Sequence, residues 1–93
     1  MTERDEFIYK IAKELVANGL TMSVHQLVAV LNAAGKTTDA GEPHRYGAQG
    51  PYKVARTVYD RVLQELGPDE ASKVAIAFTK PDGSLAWEDA EVA

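Results

Sequence analysis

Lys53, Arg56 and Thr57 follow one another at helical spacing, with Gln49 and Tyr52 just ahead of them, and no other group of side chains in the chain is as well suited to recognition chemistry. An arginine guanidinium takes guanine with two hydrogen bonds and a glutamine amide does the same for adenine, while a threonine offers its methyl to thymine or its hydroxyl to a phosphate. A helix entering the major groove reads base edges with its first two turns, and phosphates are held by flanking cations, hydroxyls and helix N-terminal amides. Lys36, Thr37, Thr38 and Arg45 supply such flanking groups from the preceding segment. The chemistry defined by these nine residues is contact with duplex DNA. Lys53 and Arg56 equally suit an exposed helix face that does nothing but meet water.

Other chemistries find less support. His25 and His44 stand nineteen positions apart with no carboxylate arranged around them at ligand spacing, so no metal site and no cofactor is expected. His44, Arg45 and Tyr46 occupy a Gly-rich stretch, but Gly-Ala-Gln-Gly (47–50) is far from a phosphate-binding signature. Ser23 is better used as a helix cap than as a nucleophile, and no base with an orienting acid can be assembled beside it. An enzyme is not expected.

The recognition residues need helices to position them. Phe7, Ile11 and Leu15 form one line and Ile8, Ala12 and Val16 its neighbour, which predicts a first helix over roughly 3–18 packed on the core through both lines. Thr2 with Asp5 three residues on predicts a cap, and Asn18-Gly19 supplies a left-handed stop. Ser23 with Gln26 forms a capping box for a second helix, whose buried stripe is Leu27, Val28, Leu31 and Ala34 with Val24 and Val30 at its margins, closed by Gly35. The short link predicts that these two helices pack as close neighbours. From Lys36 to Gln49 turn formers predominate and predict a loop of about 14 residues, a length that is usually functional. A third helix is expected from Gly50, with Pro51 in its first turn, to Leu66 before Gly67-Pro68. Its buried line is Val54 or Ala55, Val58, Val62 and Leu66; its polar line is Lys53, Arg56, Thr57, Asp60, Arg61 and Gln64.

Beyond Pro68 a short helix over about 69–77 is expected, since Asp69 and Glu70 favour a helix start and Ala71, Val74, Ala75 and Phe78 keep helical spacing. The alternation of Val74, Ile76 and Phe78 also permits a strand over 74–79. Lys80-Pro81-Asp82-Gly83-Ser84 carries a turn signal that predicts a small hairpin with Leu85 to Trp87 returning, and residues 88–93 are expected to fray.

The 93 residues, 45% apolar and 26% charged, are those of one globular domain. There are no cysteines, no apolar run long enough for a membrane and a charged N-terminus, so a cytoplasmic protein is the expectation. The net charge of −4 conceals a gradient. Residues 36–61 carry five cations (Lys36, Arg45, Lys53, Arg56, Arg61) against three anions, whereas residues 62–93 carry two against seven. Phosphate contact needs local positive potential, and the middle segment offers it. The acidic C-terminal half, with Tyr46, Tyr52, Tyr59 and Trp87 as candidate anchors, leaves open an acidic protein-interaction module or inhibitor docking there, and a helical structural subunit is a third reading.

Leu31-Asn32-Ala33-Ala34-Gly35-Lys36-Thr37-Thr38-Asp39-Ala40-Gly41-Glu42-Pro43 resembles the Leu-Asn-x-x-Gly, x-Thr, x-x-Gly, x-Pro string in the DNA-binding regions of large serine recombinases and related helix-turn-helix proteins. In those families the segment ends the first helix of the motif and a helix soon afterwards contacts DNA. They usually place a tryptophan just after the proline, where this chain has His44, Arg45 and Tyr46, and their loop is shorter. The resemblance implies a DNA-binding fold and no strand-exchange activity. The expected architecture is therefore mostly α, a three- or four-helix helix-turn-helix domain winged by a C-terminal β-hairpin. The expected role is that of a small DNA-binding regulator or accessory protein of a microbe or mobile element, reading DNA with the helix that starts near residue 50, as a homodimer.

Overall fold

The computed structural model describes residues 1–36, 41–42 and 50–79. Within them the chain forms four helices and no strand: α1 (Glu3–Ala17), α2 (Val24–Ala33), α3 (Gly50–Leu66) and α4 (Pro68–Ala77). The mostly α expectation holds. The strand alternative for 74–79 does not, because α4 runs through Ala77 and Phe78 is its C-cap. The hairpin at 81–83 and the fraying of 88–93 lie outside the described residues.

Local chemistry sets the ends of α1 and α2. The Thr2 hydroxyl accepts from the Asp5 N–H at 3.2 Å while Asp5 Oδ2 accepts from the Thr2 N–H at 3.2 Å; Ser23 and Gln26 make the same reciprocal pair at 3.1 Å. Each box satisfies two amide donors that a helix start leaves unpaired. Both helices end in the same way. Gly19 and Gly35 adopt positive φ, the glycine N–H bonds back to Val16 or Asn32, and the next residue's N–H reaches Leu15 or Leu31. These paired bonds define a Schellman close. Gly67, at φ 93°, ends α3 and is at once the N-cap of α4, with Pro68 at the first helical position. Gly67→Ala meets no atom within 4 Å, so its cost is backbone strain alone. We expect a loss of about 1–3 kcal/mol, measurable as a lowered thermal midpoint with unchanged helix content.

The core gathers one face from every helix: Ile8 and Ala12 from α1, Val24, Leu27 and Leu31 from α2, Ala55, Val58 and Val62 from α3, and Ala71, Val74, Ala77 and Phe78 around α4. α4 packs against both α3 and α1, and α2 packs on α3. The expected close pairing of α1 with α2 is not formed; the Met22 N–H donates to the Ala77 carbonyl at 2.8 Å, so the short link turns along the end of α4 and delivers α2 to α3. Three burial expectations are corrected with it. Ala34 is exposed as the C-cap of α2, and Leu66 is 48% exposed at the last turn of α3. Phe7, Ile11 and Leu15 are only half-buried, because the core takes the Ile8 and Ala12 line and leaves its neighbour at the edge.

Candidate nucleic-acid interface

The two halves of α3 have different surroundings. Its second half is tied to α1: Arg61 Nη1 donates to Asp5 Oδ2, and Glu65 accepts from the Met1 amino group at 2.8 and 3.0 Å. Its first half meets α2, where the ring of Tyr52 stands edge-on to His25 with centroids 5.7 Å apart and planes at 89°. Edge-to-face contacts of this kind fix ring orientation as well as separation. The start of α3 is thereby oriented by the start of α2.

Tyr52, Lys53, Arg56 and Thr57 share the first two turns of α3. Lys53 is exposed and makes no hydrogen bond or ion pair among the described residues. Arg56 and Thr57 are half-buried at the shoulders of the same face. The Arg56 Nε lies 3.2 Å from both carboxylate oxygens of Asp60, one turn further on. This pair is surface-exposed, so it holds the guanidinium in place without contributing much stability.

Lys36 is placed differently. The Schellman close of α2 fixes its backbone, and its ammonium bonds Glu3 at 2.6 Å and lies 5.5 Å from the centroid of the Phe7 ring. The hydrogen bond from Lys36 holds the Glu3 carboxyl below its usual range. Lys36 therefore joins the end of α2 to the first turn of α1. Thr37, Thr38, Arg45 and Gln49 lie outside the described residues.

Arg61 leaves the polar line on which the sequence places it. Asp5 is fully buried, its Oδ2 accepting from Arg61 and the Thr2 N–H, its Oδ1 from Arg4 Nη2 at 3.1 Å and Nε at 3.4 Å. Burial pushes the Asp5 carboxyl up, but hydrogen bonds from Arg61, Thr2 and Arg4 together outweigh it and leave the pKa below the ordinary value. The sequence held a signal for this: Asp5 precedes Ile8 and Ala12 at i+3 and i+7 and so falls on the buried line of α1. A second tie of this kind joins α1 to α4, where the Tyr9 hydroxyl donates to Glu70, which also takes Lys73 at 2.9 Å. The bond to Glu70, with burial adding to it, raises the Tyr9 pKa to about 12, and the Tyr9 and Lys73 bonds lower that of Glu70.

Among the described residues no group of three or more His, Asp or Glu side chains is placed to hold a metal ion, and no helix is long and apolar enough to cross a membrane. Compared with protein-family models, with curated protein sequences and with solved structures, the chain finds no match.

Proposed function

We propose that this protein binds duplex DNA with the first two turns of α3 as its reading element, acting by occupancy as a small cytoplasmic regulator or accessory protein of a microbe or mobile element. The observation that carries the reading is the asymmetry of α3. The groups that tie α3 to the N-terminal segment, Arg61 through the buried Asp5 and Glu65 through the Met1 amino group, lie in the second half, while Lys53, Arg56 and Thr57 share the end that begins the helix, with Arg56 paired along the same helix to Asp60. That is where a groove-reading helix carries its base contacts. In this reading Arg56 takes a guanine edge, Lys53 and the helix N-terminal amides hold phosphate, and Thr57 contacts a thymine methyl or a phosphate. Thr37, Thr38, Arg45 and Gln49 add backbone and adenine contacts, and two copies of the chain address two half-sites.

The test is fluorescence anisotropy of purified protein on labelled duplexes pooled from its own genome. Three to four phosphate contacts per copy predict a fall in affinity of roughly 40–150-fold for one copy, and roughly 1,000–10,000-fold for a two-copy complex, between about 50 and about 200 mM salt. Absence of binding at the lower salt overturns the reading.

A further inference from the structure

The half-buried line of α1 borders an open groove of about 360 Å³, walled by Phe7, Ile11 and Leu15 along the helix, closed at one end by Leu20, and edged by Lys10 and Glu14. Leu20 is 58% exposed, high for a leucine beside three other large apolar side chains. Lys10 and Glu14 are one turn apart, the spacing at which opposite charges pair along a helix, yet neither makes an ion pair or side-chain hydrogen bond among the described residues. The groove is thus an apolar strip with one unpaired cation and one unpaired anion on its rim.

We propose that this face pairs with the same face of a second copy of the chain, α1 against α1 in antiparallel order. A two-fold axis through Ile11 sets Ile11 against its own copy and Phe7 against the second copy's Leu15. In that register Lys10 lies on the same flank as the second copy's Glu14, two residues from direct opposition, and Glu14 likewise lies near the second copy's Lys10. The charged pairs are offset from the apolar register by two residues' rise, about 3 Å, which a lysine side chain spans. An interface of this type is self-complementary, as two-fold pairing requires. A partner of uniform charge would leave one of the two rim charges opposed by its like; a reversed copy of the same helix opposes neither. The inference concerns self-association and stands without DNA. It adds to the proposed function the face that joins two DNA-reading copies.

The experiment is sedimentation velocity on the DNA-free chain from low micromolar to several hundred micromolar, with circular dichroism confirming that each variant keeps its helix content. The wild type is expected to pass from monomer to dimer, and Ile11→Glu to stay monomeric. Lys10→Glu and Glu14→Lys each place like charges across the interface and are expected to weaken association by roughly tenfold or more. Mixing those two variants restores opposite charges at both contacts and is expected to give a heterodimer close to wild-type affinity. A wild type that remains monomeric overturns the proposal, as does a dimer indifferent to Ile11→Glu or a mixture that fails to associate. Because no DNA is present, none of these outcomes touches the DNA-binding reading.

Discussion

Replacing Arg61 by alanine is expected to destabilise the fold by about 3 kcal/mol, because it withdraws a cation from a carboxylate that has no access to water. Asp5 retains Arg4 and the Thr2 N–H, but a buried charge that loses one of its two guanidinium partners bears a desolvation cost that is no longer offset. For a chain of this length such a loss lowers the thermal midpoint by about 10–25 °C. Arg56→Ala on the same helix is the internal control. Its partner Asp60 is exposed, and the change is expected to stay within about 0.5 kcal/mol. Two arginines five residues apart thus differ because one neutralises an interior and the other a surface. Equal melting temperatures for the two variants would contradict the assignment of Asp5 as the inter-helix tie.

The same carboxylate gives the fold a pH dependence with a definite sign. Asp5 has a folded pKa below its unfolded value, so between the two the unfolded chain binds more protons and stability rises with pH. The contribution is complete above the unfolded value of about 3.9 and fades as the pH falls from there toward the folded one. Asp5→Asn lacks it. The stability difference between wild type and Asp5→Asn, read by urea titration, is therefore expected to be constant near neutrality and to narrow on acidification below about pH 4.

Much of the scaffold was legible because it is written in short-range chemistry. Thr2 with Asp5, Ser23 with Gln26, and Gly19, Gly35 and Gly67 mark helix ends within four residues of the groups they satisfy, and the structure uses each of them. What periodicity does not contain is how far a neighbour covers an apolar stripe. Phe7 and Ile8 look equivalent on a helical projection, and only the positions of α3 and α4 decide that Ile8 is sealed and Phe7 is left at the edge. Chain economy misled in the same way: a short link suggested that α1 and α2 pack together, whereas the Met22 to Ala77 hydrogen bond turns the chain toward α3. At the candidate site spacing alone groups Lys53, Arg56 and Thr57, and the structure sets them in the first two turns of α3. Arg61 was not separable from them, since its partner Asp5 lies 56 residues away and no local rule joins the two.

That separation decides how the DNA-binding reading is put to the test, since a charge reversal is informative only where it leaves the fold intact. Lys53→Glu/Arg56→Glu alters two positions on the outer face of α3 and spares Arg61, so helix content and melting temperature are expected to change little. DNA affinity is expected to fall by roughly 100–1,000-fold at low salt, through two lost cations, two new repulsions and one lost base contact at about 1–3 kcal/mol. The slope of log affinity against log salt should flatten by about 0.9 for each phosphate contact removed. Asp60→Asn makes the opposite case. It removes an anion from the edge of the reading face and releases the Arg56 Nε from a carboxylate that competes with any phosphate or guanine edge. Its expected effect is a gain in affinity of roughly 3–10-fold at low salt, with fold stability within about 0.5 kcal/mol of wild type. A general electrostatic attraction would respond to any neutralised acid, so Glu6→Gln, changed at an exposed position on α1, serves as the comparison. Tighter binding from Asp60→Asn and not from Glu6→Gln places the contact on α3 itself. Equal gains from both reduce the interaction to net charge, and no response to either, with binding intact in Lys53→Glu/Arg56→Glu, removes α3 as the reading helix.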